Sequence, residues 1–503
     1  MVDKHIVVIG GGPGGLTSAM ILARRGFKVT LFEARDRVGG RSATLELGPY
    51  VFDTGPTFLM MKYILDQVFF EAGAACDRIL DNRELEPMYR LAFDDRQMDI
   101  SADHETMKCE IERCFPGHGH CLDDFFNQER KRFKRMLPCL QKSYHTLSSM
   151  LSQDLVRAAP YLAAGRSLFD VMHGLFKDEK LSLAFTFQAK YLGMSPWECP
   201  GLFAIIPYIE HAFGIYHPIG GLSRISEAMQ EVAQNHGAEI RCDTPVKRIL
   251  VTNGAARGVE LEDGTKIEAD DVVLNADFGH AVNNLFEPGV LRKYTPKAME
   301  RKRLSCSTFM LYLGLDKQYP LAHHTVFFAE DYRTNVEKVF RGEQPSDDLS
   351  FYVRNASITD DTLAPDGHSA VYVLAPVPNL RGDMDWNSAT SHYRDVLLSL
   401  MEKRAGMADL RQHIREEQIV SPVDWRDTYR VYAGATFNLA HNLTQMIYLR
   451  PRNKFEEVDN CYLVGGGTHP GSGLPTIYES GRIAANLLSR KHGAIFTSGN
   501  LEV

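Results

Sequence analysis

The chain has 503 residues, of which 44% are hydrophobic and 24% are charged. This composition excludes disordered, collagen-like and multi-span membrane proteins. The 56 Lys and Arg residues against 64 Asp and Glu residues leave a net charge of −8, which argues against nucleic acid as a partner. At roughly 150 residues per folding unit, the length predicts about three units, enough chain to enclose a ligand.

The N-terminus and the cysteines predict a cytosolic protein. Residues 5–10 hold only a short apolar run before a glycine cluster, unlike the apolar core of a signal peptide. The nine cysteines form no CxxC pair and no zinc-type spacing with histidine, so we expect reduced thiols and no metal site. The most apolar interior window, residues 200–209, is about half the length of a membrane span, so no transmembrane helix is expected.

A β-α-β unit is predicted at the start of the chain. Residues 6–9 are a β-branched apolar run typical of a buried parallel strand. Helical apolar spacing over 16–25 ends at a glycine, and a second strand begins at 28. The first strand leads directly into a GxGxxG motif at Gly10, Gly12 and Gly15.

This motif predicts a dinucleotide site. Its glycines let the backbone approach a pyrophosphate at the positive end of a helix. Glu33 follows the second strand, where an acid binds a ribose diol and disfavours the 2′-phosphate of NADP. The motif alone does not distinguish NAD from FAD, and an empty structural β-α-β unit is the alternative reading.

A second glycine pair with an arginine follows within ten residues of Glu33, and a DTGPT run occupies 53–57. This arrangement resembles the flavin amine oxidase and phytoene desaturase superfamily. The resemblance places the second glycine pair and its arginine against the FAD diphosphate and includes the DTGPT run in the FAD site. The residues concerned are Gly40, Arg41, Gly55, Pro56 and Thr57. Taken alone, the loop also fits a surface turn with a solvated arginine.

A second glycine-rich strand-to-helix turn is predicted near the C-terminus. A strand at 461–464 leads into three glycines, and helical spacing resumes at 477. Such a turn places backbone N–H groups at a helix start, where an anion or a flavin ring edge can bind. Two nucleotide-type turns about 450 residues apart indicate one FAD domain interrupted by insertions.

The run from 462 to 475 resembles the C-terminal signature of bacterial-type phytoene desaturases, the carotenoid desaturase family. The resemblance extends from Lys4 to about Arg490, although the 476–481 segment departs from the signature and leaves the substrate unassigned. It adds to the FAD site the residues Val246 (through its backbone, at the adenine), Gly466, Gly467, Leu474, Pro475 and Thr476. From the sequence itself, Val246 is equally consistent with a plain core residue.

Residues 120–190 combine apolar residues at helical spacing with a basic cluster of Arg130, Lys131, Arg132, Lys134, Arg135 and Lys142. A basic amphipathic helix can lie on an anionic membrane surface. The alternative is a helix packed on the protein with a solvated charged face.

These features predict an α/β fold. It comprises a Rossmann-like FAD domain over 1–90, 221–290 and 420–493, a helical, membrane-associating cap over 91–220, and a mixed-sheet substrate domain over 291–419. Within the FAD domain, an Asp-Gly pair at 263–264 predicts a tight hairpin.

The resemblance implies FAD-dependent desaturation of phytoene or a related C40 or C30 polyene. We infer that one allylic carbon loses a hydride to the flavin while its neighbour loses a proton, with a quinone or oxygen as final acceptor. Such a substrate needs a long apolar tunnel. Glu210 and His211 are the candidate catalytic pair. Two alternatives stay open: another flavin dehydrogenase, isomerase or amine oxidase, and a non-redox prenyl-binding escort protein.

Overall fold

The computed structural model describes residues 2–496. Nineteen strands lie in that range. They are β1 (His5–Ile9), β2 (Lys28–Phe32), β3 (Thr44–Leu47), β4 (Tyr50–Asp53), β5 (Asn82–Glu84), β6 (Tyr89–Ala92), β7 (Gln97–Ile100), β8 (Tyr216–Pro218), β9 (Glu239–Arg241), β10 (Val246–Thr252), β11 (Ala255–Leu261), β12 (Lys266–Glu268), β13 (Asp271–Leu274), β14 (Ser307–Leu315), β15 (His324–Phe327), β16 (Phe351–Asn355), β17 (Ser369–Val377), β18 (Ile414–Val420) and β19 (Cys461–Leu463).

The α-helices of the same range are α1 (Pro13–Arg24), α2 (Lys62–Glu71), α3 (Cys76–Ile79), α4 (His104–Cys114), α5 (Cys121–Leu140), α6 (Gln153–Ala158), α7 (Leu168–Phe176), α8 (Glu179–Ala184), α9 (Ile205–Phe213), α10 (Ser223–Asn235), α11 (Phe278–Asn284), α12 (Pro296–Glu300), α13 (Tyr332–Arg341), α14 (Trp386–Arg404), α15 (Leu410–His413), α16 (Pro422–Asp427) and α17 (Leu474–Lys491). Short 3₁₀ helices lie at Gly40–Ser42, Leu147–Leu151, Ala159–Tyr161, Phe187–Leu192, Gly201–Ala204, Ala356–Ile358, Asp361–Leu363, Tyr432–Gly434, Leu443–Gln445 and Ile447–Leu449.

A five-stranded parallel sheet forms the first layer, in the order β19-β13-β1-β2-β9. Its central strand β1 is almost completely buried, as its β-branched apolar run predicts. Helix α1 packs against both α10 and α17. The predicted β1-α1-β2 unit and the predicted strand at Cys461 are confirmed. Strands β1 and β19 belong to one sheet, although they are more than 450 residues apart in the sequence.

A seven-stranded mixed sheet forms the second layer, in the order β18-β14-β17-β16-β15-β6-β7. Strand β6 pairs with β15 in parallel, and the other neighbours are antiparallel. The sheet confirms the predicted mixed-sheet insertion, but it recruits β6 and β7 from outside 291–419. The division at residue 90 therefore falls inside β6, because long-range pairing with β15 leaves no local signal in the sequence.

A smaller three-stranded sheet has the order β10-β11-β12. The turn between β11 and β12 contains the Asp263-Gly264 pair, and the antiparallel pairing of Val259 with Ile267 confirms the predicted hairpin. Strand β10 lies at the edge of this sheet, so one side of its backbone faces away from the other strands.

The helical layer resolves the two readings of the basic amphipathic segment. The apolar side of α5, including Phe125 and Phe133, is buried, and α5 packs against α9. Arg132 is buried too, with Nη1 2.5 Å from Glu129 Oε2. The other five residues of the basic cluster are exposed. The apolar face of α5 therefore contacts protein, as the second reading holds. Among residues 2–496, no helix has the length and hydropathy that a bilayer span requires.

Candidate functional site

A cavity of about 430 Å³ is lined by residues of both large sheets, within the size range of small-molecule sites. Thirteen of the fifteen residues assigned to the cofactor from the sequence line it. They are Gly10, Gly12, Glu33, Gly40, Arg41, Gly55, Pro56, Thr57, Val246, Gly466, Gly467, Leu474 and Pro475.

The first glycine turn forms a cradle at the N-terminus of α1. Gly10 has a φ of +94°, and a Cβ there would lie 2.8 Å from the carbonyl oxygen of Asn275. Only glycine fits such a position without displacing the backbone. Helix α1 begins directly after Gly12 with Pro13 at its first turn, so its positive end faces the turn. This is the geometry of a pyrophosphate site.

Glu33 lies beside this turn with its side chain buried. Its Oε2 accepts a 2.7 Å hydrogen bond from the Gly11 N–H, and its Oε1 accepts a 2.9 Å bond from the Arg35 N–H. Each carboxylate oxygen keeps a further acceptor position. The carboxylate is therefore fixed in place and still able to bind a ribose diol.

The second glycine pair packs on the first turn. The Gly39 N–H donates a 2.8 Å hydrogen bond to the Gly11 carbonyl oxygen. Arg41 follows, with Nη2 3.1 Å from Asp277 Oδ2 and Nη1 donating to the Thr436 carbonyl oxygen. The guanidinium is thus held at the cavity wall beside the anion-binding turn, as the predicted diphosphate contact requires.

The C-terminal glycine turn lines the same cavity at the start of α17. Arg450 is fully buried behind it and donates a 2.7 Å hydrogen bond from Nη2 to the Gly466 carbonyl oxygen. The Gly465 N–H donates a 2.8 Å hydrogen bond to Ser480 Oγ of α17. These contacts order a loop that has little regular secondary structure.

Two predicted cofactor residues, Gly15 and Thr476, do not line the cavity, so their contact with the cofactor stays a prediction. Gly15 lies inside α1, where a Cβ would be 2.2 Å from the Gly10 carbonyl oxygen, so it allows close packing there. The Thr476 hydroxyl lies 2.8 Å from the Gly473 carbonyl oxygen and closes the first turn of α17.

Val246 lines the cavity through an edge strand. The Glu262 N–H donates to the Pro245 carbonyl oxygen, which makes Val246 and Leu261 a non-hydrogen-bonded pair of the antiparallel ladder. The N–H and C=O of Val246 therefore point away from β11. This orientation leaves both groups free for the edge of an adenine ring, a feature that the valine side chain could not reveal.

The other half of the cavity is aromatic and apolar. Phe58 stacks on His324 with ring centroids 4.2 Å apart, and Tyr191 and Tyr352 lie within 5.7 Å of the Phe58 ring. Other apolar and aromatic residues that line the cavity here include Phe187, Met310, Val326, Phe351, Tyr372 and Leu374. Sequence reasoning missed these residues because they come from separate strands and give no local motif.

Two tyrosines of the mixed sheet join the halves. The Tyr372 hydroxyl donates a 2.9 Å hydrogen bond to the Gly55 carbonyl oxygen, and the Tyr352 hydroxyl lies 2.9 Å from Thr57 Oγ1. The Tyr352 oxygen is also 2.7 Å from His324 Nδ1. Burial holds the pKa of both tyrosines above the usual 10, so both stay protonated donors.

The structure does not place the candidate catalytic pair in the cavity. Glu210 is fully buried on α9, and its Oε2 accepts hydrogen bonds from the Tyr89 hydroxyl (2.9 Å) and Gln188 Nε2 (2.8 Å). His211 Nδ1 lies 2.9 Å from the Ser101 carbonyl oxygen. Neither side chain lines the cavity, so their catalytic roles stay predictions. Burial raises the pKa of Glu210 to about 7 and lowers that of His211 to about 4.

One group of potential metal ligands lies elsewhere. Asp66, Cys76 and Asp77 come together beside α2. The ammonium group of Lys62 lies 2.8 Å from Asp66 and 2.6 Å from Asp77. A single lysine thus already pairs with both carboxylates.

The cradle of glycines, the fixed acid, the arginine and the free edge of Val246 fit a flavin dinucleotide. Comparison with known proteins agrees. The model of the family described as flavin containing amine oxidoreductase matches residues 13–489. The chain is 50% identical over 493 residues to a 4,4′-diapophytoene desaturase (4,4′-diapolycopene-forming) of Methylomonas sp, with 98% of this chain and 96% of the relative covered.

A second relative is an all-trans-zeta-carotene desaturase of Myxococcus xanthus, 36% identical over 97% of this chain and 94% of its own. Among solved structures, an oxidoreductase from Methanosarcina mazei matches with a TM-score of 0.62 and 20% identity, covering 95% of this chain and 99% of that one. At that identity the likeness establishes the fold.

Proposed function

The chain belongs to the flavin containing amine oxidoreductases and, within them, to the carotenoid desaturases, and we propose from this that it desaturates a linear apolar polyene. The substrate class is phytoene or a related C40 or C30 carotenoid precursor, and the product carries new conjugated double bonds. FAD is the cofactor.

One observation carries the proposal. A single cavity has a dinucleotide half at Gly10, Glu33 and Arg41 and an aromatic half at Phe58, Tyr191 and Tyr352. A substrate without charge or hydrogen-bonding groups gains affinity only by burying apolar area, about 25 cal/mol per Å². The aromatic half offers such area next to the segment that holds the flavin.

Bound FAD supplies the acceptor for the hydride that leaves the polyene. The protein positions the polyene and keeps water away from the reacting carbons. Tyr352 and Tyr372 hold Gly55 and Thr57 at the junction of the two halves. The apolar walls align the chain and exclude water from the reacting carbons. The electrons finally pass to a quinone or to oxygen.

The positions of the carboxylates in the cavity argue against an amine substrate. Among the described residues that line the cavity, the carboxylates are Glu33 and Asp277. Glu33 accepts two backbone N–H groups, and Asp277 pairs with Arg41. Both belong to the dinucleotide half, so the aromatic half offers no carboxylate to an alkylammonium group. The intact glycine turns equally disfavour a non-redox escort protein.

The test is expression in two hosts, one accumulating phytoene and one accumulating the C30 precursor, with absorption spectra of the extracted pigments. The wild-type chain is expected to lengthen the chromophore in at least one host, and the number of conjugated bonds gives the number of desaturation steps. An Arg41→Ala variant is expected to lose most of the pigment. Colourless extracts from both hosts, with folded and flavin-loaded protein present, would refute the proposal.

We further propose that the protein docks on an anionic lipid surface, from which an apolar substrate is available. Leu147, Leu151 and Val156 are 71%, 79% and 58% exposed. Helix α6, which carries Val156, packs against α5, whose exposed face carries four basic side chains. Exposed apolar side chains beside cations are the chemistry of peripheral lipid binding.

A further inference from the structure

Lys190 has no carboxylate partner among residues 2–496 and lies at the aromatic half of the cavity. It lies on the 3₁₀ helix Phe187–Leu192 and lines the cavity. Its side-chain nitrogen sits 4.8 Å from the ring centroid of Tyr332. An unpaired lysine in apolar surroundings costs stability, so a fully apolar ligand does not explain it.

A second, smaller cavity of about 10 Å³ lies behind Lys190. Lys190, Cys306 and Pro376 line both cavities and lie where the two adjoin. The volume is that of about one oxygen-sized group. Asn335 of α13 lines the small cavity and is buried.

Asn335 adds a second donor without an acceptor. Its Oδ1 accepts a hydrogen bond from the Ser350 N–H at 3.3 Å, which sets the orientation of the amide, while its buried Nδ2 has no partner. The hydroxyl of the neighbouring Tyr332 is also buried without a partner. Lys190 and the unpartnered Asn335 amide thus line the same small cavity, and buried donors are normally satisfied.

We propose that Lys190 and Asn335 bind the carbonyl oxygen of an isoprenoid ligand whose apolar chain lies in the main cavity. A carbonyl oxygen has two lone pairs and no proton, which matches two donors facing one oxygen-sized space. This inference rests on the proposed function, because it assumes that the cavity takes an isoprenoid chain. It means that the site recognises a ligand oxygen atom in addition to the length of an apolar chain.

Burial lowers the pKa of Lys190 to about 7. The side chain is therefore a hydrogen-bond donor in both its charged and its neutral form. Two molecules share the required chemistry: a polyene that carries an aldehyde or ketone at its end, and an isoprenoid quinone that reoxidises the flavin.

The experiment uses flavin-loaded protein in detergent with three probes: lycopene, a polyene aldehyde (β-apo-8′-carotenal) and decylubiquinone. Wild type is compared with Lys190→Met and, as a matched control, with Lys297→Met, which removes an exposed lysine of α12. Binding is followed by probe absorbance. A thermal melt checks folding, and Lys190→Met is expected to melt at or above the wild-type temperature because it removes a lysine from apolar surroundings.

The expected result is that Lys190→Met weakens at least one carbonyl probe tenfold or more and leaves lycopene unchanged. Loss of the aldehyde alone identifies an oxygenated polyene, and loss of the quinone alone identifies the electron acceptor. Equal affinity of wild type and Lys190→Met for both carbonyl probes, with lycopene bound, would overturn this inference alone. Failure of every protein to bind lycopene would instead count against the proposed function.

A covalent readout is independent of turnover. At pH 8 the neutral amine of Lys190 can attack the aldehyde carbon, with release of water and formation of an imine. Cyanoborohydride then delivers hydride to the C=N bond and leaves a stable secondary amine. Mass spectrometry is expected to find the adduct on the Lys190 peptide ahead of surface lysines. An unmodified Lys190 beside labelled surface lysines excludes the polyene aldehyde as its ligand and leaves only the quinone, which the binding assay tests.

Discussion

Gln188 Nε2 donates a 2.8 Å hydrogen bond to the carboxyl group of Glu210. Gln188 lies on the 3₁₀ helix Phe187–Leu192, whose other residues Phe187, Lys190 and Tyr191 line the cavity. Glu210 therefore stands one residue behind the cavity wall. This position suits a residue that holds the cavity wall in place. Glu210 could act on a substrate only through another group, because it does not line the cavity itself.

Glu210 and its neighbour His211 predict opposing effects of pH on stability. Burial raises the pKa of Glu210 from 4.5 to about 7, so its contribution to stability falls as pH rises from 4.5 through 7. Burial lowers the pKa of His211 from 6.5 to about 4, so its contribution rises from pH 4 to 6.5. Between about pH 4.5 and 6.5 the two slopes cancel in the wild-type protein.

Glu210→Gln removes the pH dependence of stability that comes from Glu210. The amide oxygen of the new side chain can still accept hydrogen bonds from Tyr89 and Gln188. The variant is expected to match the wild type near pH 5 and to exceed it by about 2–3 kcal/mol at pH 8. Urea unfolding at pH 5, 6, 7 and 8 measures the difference. The same pH profile for both proteins would mean that Glu210 is not held neutral at pH 6.

The dinucleotide half was predictable because its signals are local. A glycine turn, the strand before it and the helix after it are contiguous, so the sequence contains the whole motif for Gly10–Glu33 and again near Gly466. Gly15 and Thr476, the two predicted residues that do not line the cavity, belong to these motifs too. Both residues pack at the start of a helix. A sequence motif does not show which of its residues face a ligand.

The aromatic half was not predictable for a topological reason. Tyr352 on β16 and Phe58 in the loop after β4 are almost 300 residues apart, and the sheet order brings them together. Lys190 reads in the sequence as one more surface charge. Only the fold shows that it faces aromatic rings and that, in the described part of the chain, no carboxylate lies beside it.

Arg41 is predicted to contribute to FAD affinity rather than to folding. Asp277 and the Thr436 carbonyl hold its guanidinium beside the glycine turn. Arg41→Ala is expected to weaken FAD binding about 10- to 100-fold, the loss typical of a charge-assisted contact. Flavin fluorescence titration of the apoprotein measures the affinity.

Arg37→Ala is the control, because Arg37 is a partly exposed arginine of the same loop outside the cavity. Equal losses in the two variants would contradict the assignment.

Arg354 and Asp53 form a buried ion pair, with Nη1 2.8 Å from Oδ2. Asp53 Oδ1 also accepts the Ser223 N–H at 2.8 Å, directly before the predicted flavin segment at Gly55. Arg354→Met leaves that carboxylate buried without its cation. We expect a loss of about 3–5 kcal/mol in the free energy of unfolding.

Urea unfolding of the flavin-loaded protein checks this value. Arg333→Met is the control, because Arg333 pairs with Glu337 on the exposed side of α13 and should cost under about 1 kcal/mol. Adding Asp53→Asn to Arg354→Met should recover part of the loss. A cost for Arg354→Met no larger than that of the control would show that the pair is not a buried charge pair in solution.

Lipid binding is predicted to depend on the apolar side chains of residues 147–156 rather than on the apolar face of α5. That face packs inside the protein, whereas Leu147, Leu151 and Val156 are exposed. Replacing these three with serine removes the apolar area that would enter the headgroup region, so binding to vesicles with anionic lipid should weaken at least tenfold. Co-sedimentation measures the bound fraction.

Phe70→Ser is the matched control, because Phe70 is 74% exposed on α2. Raising the salt concentration should weaken the remaining, electrostatic part of the attraction. Unchanged sedimentation of the triple variant, or an equal loss in Phe70→Ser, would place the lipid contact elsewhere on the surface.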